Sequence, residues 1–280
     1  WDLLVGVTES TARVQHMMWR LIDPSHPMYD AQLAARFGDS IERVYRRCDE
    51  FVGQVLQRIG PDIPVLVVSD HGFHSFRYSV NLNTWLVEKG YMVLEGQRPG
   101  EKKLDDLFGG GQFWENVDWS RTRAYAMGLG QIYFNLKGRE SKGIVTEGPE
   151  YDQLTEALTK DLLEMRDPSN GNRIVRAVYP RSVYTGPYLH NASDLQVGME
   201  EGYRVSWQTA LGGTPQGIVY PNMKKWSGDH GAYDYQTTAG VLISSRKIQS
   251  DAMRIIDIAP TVLKYFGLAI PADIDGKPLF

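Results

Sequence analysis

The stretch Leu66-Val67-Val68-Ser69-Asp70-His71-Gly72-Phe73 is a short apolar run that ends at an adjacent carboxylate and imidazole. Because the run does not alternate with polar residues, it predicts a strand covered on both faces, and Gly72 would let the backbone turn at its end. Ligands of open α/β sheets bind at the carboxyl ends of the strands. Asp70 and His71 are therefore candidate metal ligands, although an isolated Asp-His pair more often belongs to an ordinary turn.

Two further histidines strengthen the metal interpretation. His230 lies on a glycine-flanked loop at 227–233, and His16 lies at 12–20, a segment of helical composition. Neutral imidazole suits zinc, and an Asp with several His and no cysteine cluster suits a catalytic metal site better than a structural zinc finger. Asp229, beside His230, could orient that imidazole or simply form the turn. The other histidines are expected to make structural hydrogen bonds: His26, His74 and His190.

The order of elements predicts a parallel sheet. Residues 1–7 have the composition of a buried strand. Residues 29–59 have the pattern of a long amphipathic helix that could break near Gly38, and residues 65–68 have the composition of the next strand. A strand, a helix and a second strand form a βαβ crossover, which places the two strands parallel. We also expect upstream strands of the same sheet to be missing, because the chain starts directly at a core strand.

The rest of the chain predicts smaller elements. The residue patterns predict a short helix at 83–89, strands at 124–127 and 131–135, a helix at 149–165, a turn at 167–171, strands at 175–183 and 240–244, and a helix at 257–267. Two glycine-rich stretches, 95–111 and 193–225, are expected to be an exposed loop and an irregular wrapping segment.

Composition narrows the class of partner. The 280 residues carry 30 basic and 34 acidic side chains, a net charge of −4, so there is no basic footprint for a nucleic-acid polymer or an anionic membrane surface. No apolar run reaches the roughly 20 residues that a transmembrane helix needs. The single cysteine, Cys48, cannot form an internal disulfide, which weakly favours a reducing compartment but leaves cytoplasm and periplasm open.

Three motifs occur in a set order: Ser69-Asp70-His71-Gly72-Phe73, Gly228-Asp229-His230-Gly231 and Asp257-Ile258-Ala259-Pro260-Thr261. In this order they resemble the alkaline phosphatase superfamily, and within it the type I phosphodiesterase/nucleotide pyrophosphatase branch. The resemblance covers essentially all 280 residues and implies an α/β fold with a mostly parallel sheet sandwiched between helices. It further implies that the chain is the C-terminal part of one catalytic domain, with residues about 95–225 as an inserted cap.

The resemblance also implies the chemistry. Two divalent metal ions, most often zinc, bracket the phosphoryl group, with Asp70 and His71 on one ion and His16 and His230 on the other. The substrate would be a small-molecule phosphate ester, either a phosphodiester or a nucleotide pyrophosphate. The nucleophile would be a Thr or Ser that the family carries upstream of Trp1.

Position 12 departs from the family pattern. The family has Asp-x-x-x-His, whose two side chains share one helical face, but this chain has Ala12 four residues before His16. Alanine has no ligand atom, and Glu9 is a poor substitute because metal–ligand distances are narrowly set. The chain is therefore expected to be an impaired hydrolase.

A catalytically silent relative that binds a phosphorylated ligand or a protein partner is the alternative function. Sulfatase or phosphonate hydrolase chemistry is a nearby one, since related scaffolds host related reactions. The sequence leaves open the substrate, the preference for monoesters or diesters and the oligomeric state.

Overall fold

The computed structural model describes residues 1–98, 100, 114, 116–248 and 252–280. The α-helices within these ranges are Ser10–Met18 (α1), Ala31–Phe37 (α2), Ser40–Ile59 (α3), Leu82–Glu88 (α4), Pro149–Leu163 (α5), Trp207–Ala210 (α6) and Ile258–Tyr265 (α7). The strands within the same ranges are Leu66–Val68 (β1), His74–Val80 (β2), Ala124–Met127 (β3), Gln131–Phe134 (β4), Val175–Pro180 (β5), Leu195–Met199 (β6), Gly202–Val205 (β7), Val219–Pro221 (β8), Gly228–Asp229 (β9) and Leu242–Ser244 (β10). None of these helices combines the length and the apolar character that crossing a bilayer requires.

The strands of the described residues form three sheets. β1 pairs with β10 in an antiparallel ladder whose register sets Leu66 opposite Ser244. β2 is central in the second sheet, where it pairs with β7 in parallel and with β8 and β9 in antiparallel orientation. The third sheet has the order β3-β4-β6-β5 and is antiparallel throughout.

The prediction of a mostly parallel sheet is wrong, because most strand pairs in the described part of the chain are antiparallel. Residues 1–7 are exposed and form no strand, so β1 has no parallel partner from the segment that precedes it. β10 lies beside β1 instead and runs in the opposite direction. Both strands are also less buried than predicted, with Val68 38% and Ile243 63% exposed.

The segment at 29–59 contains two helices, α2 and α3, and the break falls at Gly38, the position that the sequence indicated. Asp30 begins α2, since its side chain accepts hydrogen bonds from the backbone N–H groups of the first turn. α3 ends at Ile59, where Gly60 takes a φ of +73°, a left-handed conformation that favours glycine.

The hydrophobic core surrounds the third sheet, within the region predicted as a cap. α5 packs on β5 and buries Leu154, Leu158 and Leu162. Ile132 and Phe134 of β4 are fully buried on the same sheet. The predicted bounds of β3, β4 and α5 agree with the structure to within two residues.

The stretch at 193–225, predicted to be irregular, contains β6, β7, α6 and β8, so that prediction is wrong. Gly198 lies within β6, where a Cβ would come 2.8 Å from Asp234 Oδ2, and Gly202, with a φ of +91°, turns the chain into β7. The glycines here permit a close approach and a tight turn rather than an irregular segment. Of the loop predicted at 95–111, residues 99 and 101–111 lie outside the described residues.

Candidate metal centre

Three histidines from distant parts of the chain lie side by side. The imidazole of His71 stacks on that of His230, with ring centroids 3.6 Å apart and ring planes 11° apart. The centroids of His16 and His230 are 5.4 Å apart, and the ring of Phe73 packs against all three imidazoles. α1, the loop after β1 and the loop after β9 therefore meet at one place.

The helix that carries His16 is held directly against β9. The backbone N–H of Ser227 donates a hydrogen bond of 2.6 Å to the His16 carbonyl. At Gly228 a Cβ would lie 2.5 Å from the carbonyl oxygen of Gln15 and 2.9 Å from the Trp19 Cβ, a separation that real side chains do not adopt. Gly228 thus sets how closely α1 approaches the strand that leads to the second histidine.

Hydrogen bonds orient two of the three imidazoles. His16 Nδ1 is 2.7 Å from the carbonyl oxygen of Gly228, and His71 Nδ1 is 2.9 Å from that of Gly72. A carbonyl can only accept, so Nδ1 carries the proton in both rings and Nε2 keeps a free lone pair. This tautomer is the one that second-shell carbonyls fix in metal-binding histidines.

His26 and His74 lie outside the cluster of three imidazoles. His26 Nε2 donates to the carbonyl of Phe76, while its Nδ1 accepts from the N–H of Met28, so neither nitrogen is left for a metal. His74 Nε2 donates to the carbonyl of Thr237, and its ring packs against Tyr233. The hydrogen bonds exclude His26 as a ligand, whereas His74 is set apart by the residues that its ring contacts.

Burial lowers the pKa of His16 and of His230 below the ordinary value of 6.5. The proximity of the His71 imidazole lowers the pKa of His230 further, whereas the hydrogen bond to the Gly228 carbonyl opposes part of the effect of burial on His16. Both imidazoles are accordingly neutral at neutral pH, and only the neutral form can bind a metal.

Asp70 lies at the solvent side of the cluster. Its Oδ2 is 3.4 Å from His71 Nε2, and its side chain is 76% exposed. Its charge also raises the pKa of His230 against the larger effect of burial. The structure therefore brings together all four residues that the sequence nominated as ligands: His16, Asp70, His71 and His230.

Ala12 lies one helical turn before His16 on α1, which is the spacing that the family pattern requires for a carboxylate. Glu9, the nearest upstream carboxylate, pairs with Arg13 on the exposed side of the same helix. No carboxylate from α1 therefore joins His16.

Asp229 is the buried carboxylate of the cluster, and sequence reasoning did not decide its role. Its ligand atoms and those of His16 and His230 all lie within 4.8 Å of one another. However, Asp229 already contacts the side chains of Arg204 and Trp226. Arg204 was not singled out in the sequence, and no local pattern could have indicated it because it lies on a separate strand, β7.

Comparison with known proteins points to one family. The sequence model of the family described as type I phosphodiesterase / nucleotide pyrophosphatase matches residues 1–232. The matched range includes His16, Asp70, His71 and His230. A search among curated protein sequences finds no match.

Proposed function

Since this chain belongs to the type I phosphodiesterase/nucleotide pyrophosphatase family, within the alkaline phosphatase superfamily, we propose that it hydrolyses phosphoric esters with the aid of bound divalent metal ions. The family indicates phosphoester hydrolysis as the reaction class. Small-molecule phosphodiesters or nucleotide pyrophosphates are the proposed substrates. The observation that carries the proposal is the convergence of His16, His71 and His230. In His16 and His71 the hydrogen bond at Nδ1 leaves the lone pair of Nε2 free.

In this proposal His16 and His230 hold one zinc ion, while Asp70 and His71 hold the other. The donor set supports this assignment, because neutral imidazole and carboxylate are both ordinary zinc ligands. When bound, such a metal pair neutralises phosphoryl oxygens and lowers the pKa of a hydroxyl nucleophile. The proposed nucleophile is a Thr or Ser, as the resemblance to the family implies.

The cap, residues about 95–225, is proposed to contact the organic group of the ester. The turn between β3 and β4 reaches the site loop, since Leu129 Cδ1 would lie 2.7 Å from a Cβ placed on Gly231. Segments that extend from a scaffold to the rim of a site commonly set substrate preference.

Ala12 is proposed to weaken the binding of the metal ion that His16 and His230 hold. With alanine at this position, α1 contributes one imidazole and no carboxylate. A zinc ion that acts in catalysis needs three protein ligands and an open position, so loss of one ligand lowers both affinity and activity.

Restoring the carboxylate tests the proposal. We expect A12D to raise zinc affinity by more than the roughly 10- to 100-fold that a second-shell partner contributes, as measured by competition with a chromophoric chelator. A35D is the matched control, because Ala35 is an exposed helical alanine on α2, and its zinc affinity should equal that of the unchanged chain. The gain in A12D should disappear when H16A or H230A is added.

Two results would overturn the proposal. Equal zinc affinity in A12D and in A12D/H16A/H230A would remove the metal assignment. Hydrolysis is assayed with nitrophenyl phosphate esters on A12D, in a form that carries the proposed nucleophile segment. Two tightly bound zinc ions without release of nitrophenol would remove the hydrolase assignment.

The second candidate function is a catalytically silent relative that binds a phosphorylated ligand or a protein partner, and Ala12 is the observation that favours it. In that case the unchanged chain would bind a nitrophenyl phosphate ester in a calorimetric titration, and A12D would bind it without turnover.

A further inference from the structure

We infer that Asp229 is a positioning residue rather than a metal ligand, and that the buried Arg204 holds it so that His16 and His230 keep one relative geometry. The inference rests on the proposed function, because it concerns the same site. It explains why a carboxylate lies beside two candidate ligands and yet does not replace the one missing at Ala12.

The contacts of Asp229 leave little of the carboxylate for an ion. Oδ1 accepts hydrogen bonds from the backbone N–H groups of His230, at 2.8 Å, and Gly231, at 3.3 Å. Oδ2 accepts one from Trp226 Nε1 at 2.9 Å and forms an ion pair with Arg204, whose Nε lies 2.9 Å away without a hydrogen bond of good geometry. A carboxylate offers about four lone-pair positions, so hydrogen bonds occupy three of them. A metal ion at the remaining position would compete with the positive charge of Arg204 for Oδ2.

Arg204 cannot readily move away from Asp229. Its side chain is 1% exposed, and its guanidinium lies 4.2 Å from the ring centroid of Trp207 and 5.1 Å from that of Phe76. Its Nη1 donates to the carbonyl of Val205 at 2.8 Å. Because the guanidinium lies over both aromatic rings, this packing keeps its positive charge beside the carboxylate.

The guanidinium of Arg204 and the carboxylate of Asp229 form a buried ion pair, with Nε and Oδ2 2.9 Å apart and side chains 1% and 5% exposed. A buried ion pair of this kind is strongly destabilised when one partner is removed, because the other charge is left without compensation.

Asp229 reaches both histidines through the groups that it binds. The backbone N–H of His230 ties the carboxylate to one imidazole-bearing residue. Trp226, which donates to the same carboxylate, stacks its ring on His16 with centroids 3.7 Å apart and planes 26° apart. One buried anion therefore links the two rings that the proposed function assigns to a single ion.

The first measurement needs no metal. The Trp226 ring should shift the ring protons of His16 upfield in the NMR spectrum of the unchanged chain, since the two rings are stacked. We expect R204M and D229N to reduce this shift, and R204K to retain part of it because Lys keeps the positive charge. The control is R139M, which removes the arginine of another buried pair, Arg139–Asp194, and should leave the shift unchanged. An unchanged shift in both R204M and D229N would overturn the positioning role.

The second measurement decides between ligand and positioning residue. Co²⁺ is titrated into A12D, and its visible absorption bands report the coordination sphere. We expect A12D/D229N and A12D/R204M to keep the band positions of A12D and to bind Co²⁺ about 10- to 100-fold more weakly, as happens when a group that orients a metal ligand is lost. A shifted spectrum in A12D/D229N, with affinity as low as in A12D/H230A, would overturn the inference.

The two measurements also separate this inference from the proposed function. If A12D binds no Co²⁺ but R204M still reduces the upfield shift of the His16 ring protons, the metal assignment fails and the positioning role stands. Where R204M does not fold, D229N and R204K keep the test valid, since D229N should reduce the His16 shift and R204K should retain part of it.

Discussion

Two regions of the molecule are held in place by different forces. We call β3, β4, β5, β6 and α5 the antiparallel layer, and α1, α3, β1, β9 and β10 the site frame. In the antiparallel layer Ile132, Phe134 and Leu158 are fully buried. In the site frame Phe51 is 65% and Ile243 is 63% exposed. Apolar burial stabilises the layer, whereas polar contacts and close backbone approach fix the geometry of the frame.

The difference shows that a site can be well ordered in a region with little apolar core. His16 is fixed by the Gly228 carbonyl, by the stacked ring of Trp226 and by the packing of α1 on β9. Variants in the layer should therefore change stability alone, whereas variants at the frame contacts should also change metal binding.

The largest expected effect is on stability, from F134A in the antiparallel layer. Removing this fully buried ring should cost about 3–5 kcal/mol, since a cavity replaces a large apolar side chain. I243A, at an exposed position of the frame, is the matched control and should change stability by no more than about 0.5 kcal/mol. Urea unfolding followed by tryptophan fluorescence measures both, and equal losses would show that the two regions are not held differently.

The next effect concerns the contact between α1 and β9. G228A should destabilise the chain by about 1–3 kcal/mol, because the added methyl group would overlap the carbonyl of Gln15. It should also weaken zinc binding by A12D, since α1 and His16 would have to move. Unchanged zinc affinity in A12D/G228A would contradict the view that this contact sets the geometry of the site.

The antiparallel layer could be predicted from the sequence because its signals are local. A short apolar run that ends before Gly128 indicated β3 with its observed bounds, and α5 begins at Pro149, a residue suited to the first helical turn. The frame could not be predicted in the same way. The apolar run at 65–68 has the same composition whether neighbours cover it or not, and its observed partner, β10, lies more than half the chain away.

The site was predicted in part for a similar reason. His16, His71 and His230 stood in recognisable motifs, and the structure brings them together. The role of Asp229 depends on Arg204, which comes from a different strand and stands in no motif, so the sequence left two roles for this carboxylate open.

A smaller effect is expected from pH, through His26. Burial lowers the pKa of this imidazole below 6.5, and protonation would turn its Nδ1 acceptor into a donor facing the N–H of Met28. At pH values between the lowered pKa of folded His26 and 6.5, the unfolded chain binds the proton more readily than the folded chain does. The free energy of unfolding therefore decreases as the pH falls below 6.5, by at most about 1.4 kcal/mol per pH unit for this group. H26Q should show a flatter dependence in urea unfolding at pH 5.5 and 6.5, and an equal slope would contradict the assignment.

The smallest effect is a gain in stability from G53A. Gly53 lies within α3, and a Cβ there would meet no atom within 4 Å. Alanine should stabilise the chain by about 0.5–1 kcal/mol, because glycine loses more backbone entropy in a helix. A higher urea midpoint with unchanged zinc affinity would show that the stability of the frame can change without a change in the geometry of the site. A loss of stability would contradict the prediction.

Anomalous diffraction at the zinc edge, from crystals of A12D soaked with zinc, locates the ions directly. We expect one ion about 2.0–2.1 Å from Nε2 of both His16 and His230, a second ion at Asp70 and His71, and Asp229 still paired with Arg204. Zinc found only elsewhere on the molecule, or coordinated by Asp229 in place of its contact with Arg204, would contradict this expectation.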